Sequence, residues 1–146
     1  MTLKSIFLLG GVGGVGEAAA RSLKLSVPHL RIAGTFEGER DSSGDAEIVA
    51  LIAKARSDIL LVAYGAPEQE EWISRNLAKL PSVKVAMGVG GAFDYLSGRV
   101  QRAPRLLRSL GLEWLFRVIL QPHRIGRIIT ATIRFPLAVL RQRARK

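Results

Sequence analysis

Short apolar runs alternate with amphipathic segments along the first two thirds of the chain. Runs of this length that are almost entirely apolar are typical of strands buried on both faces of a parallel sheet. Four such runs predict strands, at residues 6–9, 30–33, 59–63 and 83–87. Because helical segments separate them, the pattern predicts a Rossmann-like α/β fold with about four parallel strands and helices on both faces.

The segments between these strands have the composition and spacing of helices. Residues 15–25 are rich in alanine, and residues 48–55 place their aliphatic side chains on one helical face, with Ser43 or Asp45 as the expected N-cap. Pro67 suits the first turn of a third helix that runs to Leu80. These helices complete the predicted Rossmann-like domain, which we assign to residues 1–98.

The pattern changes after Gly98, where only helices are predicted. Residues 104–110 and 112–120 are predicted as two short helices that are separated at Gly111, and a longer helix follows. Its isoleucines and leucines fall on one helical stripe, beside which Arg127, Arg134 and Arg141 recur at every seventh position. We therefore predict a helical basic appendage over residues 99–146, which associates with the membrane or with the active site.

The net charge of +10 is concentrated in this appendage. Residues 99–146 hold twelve basic residues and one acid, a net charge of +11, whereas residues 1–98 carry a net charge of −1. Such a segment favours an anionic partner, although a solvated tail without a partner has the same composition. Arginine is interleaved with aliphatic residues and few aromatic ones, a pattern that favours an anionic membrane surface over nucleic acid.

Candidate metal ligands are few. The chain has no cysteine, and its two histidines, His29 and His123, are far apart in sequence. A zinc site of the usual cysteine and histidine type is therefore not expected, and no metal or other cofactor is predicted.

The first candidate for ligand chemistry is the glycine-rich turn GVGGVG at residues 11–16, between a predicted strand and a predicted helix. With Glu37 further along, it has the spacing of a dinucleotide fingerprint. An NAD(P)-binding domain of an oxidoreductase is therefore the alternative function. Two points oppose it: Glu37 is expected to lie beyond the end of its strand, and glycines also occur in turns simply to make a tight corner.

Two further candidates follow the third and fourth strands. Gly65 is followed by Gln69 and Glu70 on the first turn of a helix, where an amide and a carboxylate suit sugar hydroxyls or a base edge. The acids of this turn also favour the positive end of the helix dipole, and Trp72 is expected to anchor the core. After the fourth strand, glycines precede Asp94, which either binds hydroxyl groups or caps a turn.

Four ordered blocks give the chain a wider resemblance. Residues 8–19, 65–72, 88–104 and 111–127 follow, in order and at matching spacing, the motifs of the bacterial WecG/TagA/CpsF glycosyltransferases. This family resemblance implies a metal-independent hexosyltransferase. Such an enzyme moves an N-acetylmannosamine-type sugar from UDP to an undecaprenyl-diphosphate-linked acceptor, at the inner face of the cell membrane, in polysaccharide synthesis.

The resemblance also implies roles for individual residues. Those implied to hold the UDP-sugar are Gly10, Gly11, Gly65, Gln69, Glu70, Gly90, Gly91 and Asp94. Arg117, Arg124 and Arg127 are implied to contact the diphosphate as catalytic residues, and guanidinium groups suit its oxygens.

The sequence departs from the family pattern at three points. Glu68 stands where the family usually has lysine, and Gly13 or Gly14 stands where it usually has proline. Members are also longer at the N-terminus, and that part is implied to hold the general base and part of the acceptor pocket. We therefore expect this chain to be a fragment, to have a mis-assigned start, or to act with a missing half or as a homo-oligomer.

Overall fold

The computed structural model describes residues 4–39, 42–101, 103–112 and 116. The chain divides into two compact units, Met1–Gln101 and Arg102–Lys146. In the first unit strands and helices alternate as the sequence predicts. The strands are β1 (Ser5–Gly10), β2 (Arg31–Phe36), β3 (Ile59–Ala63) and β4 (Val85–Gly88), and the helices are α1 (Val15–Ser26), α2 (Asp45–Ala55), α3 (Glu68–Asn76) and α4 (Ala92–Leu96).

The four strands form one parallel sheet in the order β2-β1-β3-β4. β1 and β3 pair in register from Ile6 with Ile59 to Gly10 with Ala63, so both strands end at the same level. Because β1 lies between β2 and β3, the direction in which the chain adds strands reverses there. In open α/β sheets the crevice beyond the carboxyl ends of the strands at such a reversal is the usual ligand site. The predicted parallel α/β sheet is confirmed.

The sheet has an apolar core on each face. One face, with α2 and α3, buries Leu60, Val62 and Trp72, and the ring of Trp72 meets Tyr64 edge to face at a centroid distance of 6.5 Å. The other face, with α1 and α4, buries Leu8 and Phe93. Trp72 is completely buried, so the prediction that it anchors the core is confirmed.

Three local predictions need correction. β2 extends to Phe36 because Gly34 leaves room for the ring of Phe7: a Cβ on Gly34 would lie 2.7 Å from Phe7 Cε2. The helix α4 follows β4, where only a turn was predicted. The N-cap of α2 is Gly44, which makes no side-chain cap bond, so neither Ser43 nor Asp45 caps this helix.

Asp45 instead links α2 to α3. Its Oδ2 atom accepts hydrogen bonds from Asn76 Nδ2 at 2.8 Å and from Arg75 Nε at 3.2 Å. Burial raises the pKa of Asp45, but the bonds from Asn76 and Arg75 outweigh burial, and the net effect lowers the pKa. The ionised form of this carboxyl group is therefore the one that holds the two helices together.

In the second unit the structure describes one further helix, α5 (Arg105–Ser109), within the predicted segment 104–110. The remaining helices predicted for the basic appendage lie outside the described residues. Among the residues described, no helix is long and apolar enough to cross a membrane.

The amino ends of three strands are joined through Asp58. Its Oδ2 atom accepts hydrogen bonds from Ser5 N and Ser5 Oγ, each at 3.1 Å, and its Oδ1 atom accepts one from Lys84 Nζ at 2.7 Å. The hydrogen bond from Lys84, followed by those from Ser5, lowers the pKa of Asp58 well below its ordinary value of 3.8. The contact also raises the pKa of Lys84.

These pKa shifts predict a specific sensitivity to acid. Since the folded chain holds Asp58 ionised, its contribution to stability is present above pH 3.8 and is lost as the pH falls below that value. We expect Asp58→Asn to lower the thermal midpoint at pH 7 and to flatten the fall of the midpoint below pH 4. Thermal unfolding followed by circular dichroism between pH 7 and pH 3 measures both effects. Glu39→Gln, at an exposed acid, is the control and should leave the profile unchanged; an Asp58→Asn profile parallel to the parent's would contradict the prediction.

Candidate functional site

Three loops that contain glycine meet the carboxyl edge of the sheet. The first follows β1 and includes Gly11, the second follows β3 and includes Gly65, and the third follows β4 and includes Gly90 and Gly91. Gly10 is the last residue of β1 and packs so closely on β3 that a Cβ would lie 3.0 Å from the carbonyl carbon of Ala63. The predicted glycines thus follow three neighbouring strands, β1, β3 and β4, and the strand order reverses at the first of these.

Gln69 joins the second loop to the third. Its side chain leaves the first turn of α3 and is buried, with a relative exposure of 6%. Its Oε1 atom accepts a hydrogen bond from Gly90 N at 2.9 Å, and its Nε2 atom donates one to Glu70 Oε1 at 2.7 Å. Gln69 and Glu70 were predicted from one sequence block and Gly90 from another, and the side chain of Gln69 links the two blocks.

The first loop is held from two sides by side chains of the same unit. Gly14 N, at the start of α1, donates a hydrogen bond to Glu37 Oε1 at 2.8 Å, and Arg99 Nη1 donates one to Val12 O at 3.3 Å. Glu37 lies beyond the end of β2, as expected, but it is the first residue after the strand and not a few residues further on. Its carboxylate accepts a hydrogen bond from a backbone N–H at the start of a helix. In dinucleotide-binding folds this is where the pyrophosphate binds.

The first and third loops are linked by packing. A Cβ on Gly11 would lie 2.7 Å from Gly16 N and 3.3 Å from Phe93 Cδ2, so α4 packs closely against the first loop. Gly91 is the N-cap of α4, and Asp94 lies in its first turn, with its side chain partly buried. The backbone carbonyl oxygen of Asp94 accepts hydrogen bonds from Val100 N and Ser97 Oγ. The turn predicted after Asp94 therefore directly follows α4.

Arg99 is a basic residue of this edge that sequence reasoning counted only as part of the basic appendage. Its position directly after the glycine block was the available signal, but its contact with Val12 depends on the packing of α4 against the first loop. Arg117, Arg124 and Arg127 lie outside the described residues. In the part of the chain that is described, no group of histidine and acidic side chains is arranged to hold a metal ion.

Two clefts lie on the β2 side of the sheet, and the second of them is lined by Glu37, which bonds to the first loop. One, of about 480 Å³, is lined by Phe7, Phe36 and Leu51, among others. The other, of about 300 Å³, is lined by Glu37, Glu39 and Glu47 with their neighbours. Neither contains a residue predicted to bind the sugar nucleotide, whereas a third cleft, of about 450 Å³, is lined by Glu70 with Glu71, Ser74 and Arg75.

The fold and the loops define the class: an open α/β domain with a ligand-binding edge where the strand order reverses. The family follows from comparison with known proteins. The model of the "Glycosyl transferase WecG/TagA/CpsF family" matches residues 2–146, so the chain belongs to that family. The resemblance carried by the four motif blocks is confirmed, and the oxidoreductase alternative is not favoured.

Curated relatives give the same result. The chain is 38% identical over 125 residues to an N-acetylglucosaminyldiphosphoundecaprenol N-acetyl-beta-D-mannosaminyltransferase of Staphylococcus aureus (strain MRSA252), covering 86% of this chain and 48% of the relative. It is 37% identical over 144 residues to the protein of the same name from Bacillus subtilis (strain 168), covering 98% of this chain and 54% of that relative. The chain thus spans about half the length of the curated relatives it matches.

Proposed function

We propose that this chain forms the sugar-nucleotide side of a glycosyltransferase. The enzyme would move an N-acetylmannosamine-type sugar from UDP to an acceptor linked to undecaprenyl diphosphate. The family and the names of the relatives support the reaction class and the acceptor. The observation that carries the donor site is the bond between Gln69 and Gly90, which joins two glycine loops at the edge of the sheet where α/β folds bind ligands.

At the carboxyl edge of the sheet, the glycines and the carboxylates have different proposed roles. Glycines allow a ligand to approach the backbone, and the carboxylates of Glu70 and Asp94 suit the hydroxyl groups of a sugar or ribose. In the transfer, the bond from the sugar to the diphosphate breaks and a bond to an acceptor hydroxyl oxygen forms, while the hydroxyl proton passes to a base.

Negative charge then develops on the departing UDP, and cationic side chains stabilise it. Among the described residues, Arg99 is a cation bonded to the first loop. Arg117, Arg124 and Arg127 remain the residues that we predict to contact the diphosphate.

A ligand titration separates the two functions considered for this fold. We expect UDP to bind to the chain in isothermal titration calorimetry, and NADH to show no binding under the same conditions. Dinucleotide-binding folds place the pyrophosphate at this helix start, where Gly14 N already donates to the carboxylate of Glu37, whereas the proposed UDP contacts include the loops after β3 and β4. Binding of NADH without binding of UDP would refute the transferase proposal.

We also propose that the basic region brings the protein to the cytoplasmic face of the membrane. The net charge of +11 in residues 99–146 supports this location, because each basic residue near an anionic lipid surface contributes about 1 kcal/mol. Replacing Arg127, Arg134 and Arg141 with glutamate should abolish sedimentation with vesicles that contain phosphatidylglycerol. Unchanged sedimentation of this variant would refute the membrane proposal.

A further inference from the structure

We infer that Gln69 is a positioning residue, which fixes the third glycine loop and the Glu70 carboxylate, and that its amide is not itself a ligand contact. The inference rests on the proposed function, since it concerns the same donor site. It assigns contact with the sugar nucleotide to Glu70 and to the backbone of the third loop.

The two ends of the Gln69 amide make opposite kinds of hydrogen bond. The carbonyl oxygen accepts from Gly90 N, and the amide nitrogen donates to the Glu70 carboxylate. The second bond involves a charged acceptor, and such bonds are shorter and stronger than neutral ones, in keeping with its length of 2.7 Å. An amide side chain makes both bonds at once, which neither a carboxylate nor an ammonium group does beside Glu70.

The packing around Gln69 confines the side chain to this position. A Cβ on Gly88 would lie between 2.6 and 2.8 Å from Nε2, Cδ and Cγ of Gln69. The glutamine therefore lies directly against the backbone at the end of β4, in space that any residue other than glycine would fill. Gly88 and Gln69 form a matched pair that sets the distance between α3 and β4.

The position of Glu70 shows what the arrangement achieves. Glu70 is exposed, whereas Gln69 is buried, so the carboxylate is the group that solvent and ligands reach. One carboxylate oxygen is held by Gln69. A long acidic side chain that is otherwise free to rotate is thus held by the same amide that accepts the Gly90 N–H, and a carboxylate held in this way suits a hydroxyl-bearing sugar.

A pair of substitutions that exchanges the two side chains tests the inference. Gln69→Glu keeps an acceptor for Gly90 N but loses the donor and places two carboxylates in contact. Adding Glu70→Gln restores the bond with the donor and acceptor exchanged, since the new glutamine donates to the new glutamate. The substitutions keep the chain length, and the double variant keeps the net charge.

Two measurements are made on each variant: hydrogen exchange at the Gly90 amide by NMR, and UDP affinity by calorimetry. We expect Gln69→Glu to weaken UDP binding about tenfold, which corresponds to one charge-assisted hydrogen bond of about 1.4 kcal/mol. The double variant should bind UDP as Glu70→Gln alone does, with Gly90 exchange as slow as in the parent. Glu71→Gln, at the exposed acid next along α3, is the control and should change neither measurement.

Three results would overturn the inference. The first is fast exchange at Gly90 in the parent chain. The second is a double variant that regains slow exchange at Gly90 but binds UDP much more weakly than Glu70→Gln, since the Gln69 amide would then contact the ligand. The third is a double variant in which Glu70→Gln restores neither slow exchange at Gly90 nor the soluble yield lost in Gln69→Glu. Absence of UDP binding in the parent defeats the proposed function instead, and the exchange rates then decide the positioning role.

Discussion

Alanine at position 11 is expected to destabilise the chain by about 2–5 kcal/mol, because two separate costs add there. Gly11 has a φ angle of 86°, in the region that favours glycine, and an alanine in a left-handed conformation costs about 1–2 kcal/mol. The new Cβ would also lie 2.7 Å from Gly16 N, a backbone atom that cannot move without shifting the start of α1. Overpacking of this kind costs about 1–3 kcal/mol more.

Gly14 provides the matched control for this substitution. Its φ angle is 77°, but a Cβ there would meet no atom within 4 Å. Gly14→Ala should therefore show the conformational cost alone, about 1–2 kcal/mol. Urea unfolding followed by circular dichroism gives both values. Equal losses for the two variants would show that the close contact between Gly11 and Gly16 has no energetic weight.

Truncation of Trp72 to alanine is expected to cost about 3–5 kcal/mol, the usual range for a large aromatic residue in a core. Trp72 is completely buried on α3 and meets Tyr64 edge to face. Since small domains are stable by only about 5–15 kcal/mol, the variant should lose a large part of its stability. UDP binding should weaken as well, because α3 carries Gln69 and Glu70.

Trp72→Phe keeps an aromatic ring in the same space and should lose less than half as much stability. The midpoint of urea unfolding measures both variants, and soluble yield gives a second comparison if the alanine variant does not fold. A loss below about 1 kcal/mol for Trp72→Ala would mean that the core around α3 closes over the gap, which is contrary to the close packing of protein interiors.

The sequence pattern predicted a strand correctly where its residues are all apolar. Residues 59–63 are five consecutive apolar residues, and the strand β3 has those bounds. The strand predicted at residues 30–33 stops before Gly34, whereas β2 continues through this glycine, which accommodates the ring of Phe7 from the neighbouring strand. The five-residue helix α4 was missed because glycines flank it closely and its length gives little periodicity.

The sequence identified residues of the candidate site but not the contacts between them. Position after a strand was enough to select Gln69, Glu70 and the glycines, because carboxyl ends of parallel strands share one edge. The bond between Gln69 and Gly90 joins residues 21 positions apart and depends on how α3 packs on β4. The bond between Glu37 and Gly14 likewise needed the true end of β2, which the sequence pattern placed too early.

The contact between Glu37 and Gly14 has a consequence for selectivity. The carboxylate is tethered to the fold, so at the start of α1 it acts as an internal competitor for any phosphate, at an effective concentration of roughly millimolar or above. A mobile anion must displace it to reach this N–H group. The turn at residues 11–16 has the spacing of a nucleotide fingerprint, but its N–H group at Gly14 is already bonded. We therefore expect the loops after β3 and β4 to distinguish one ligand from another.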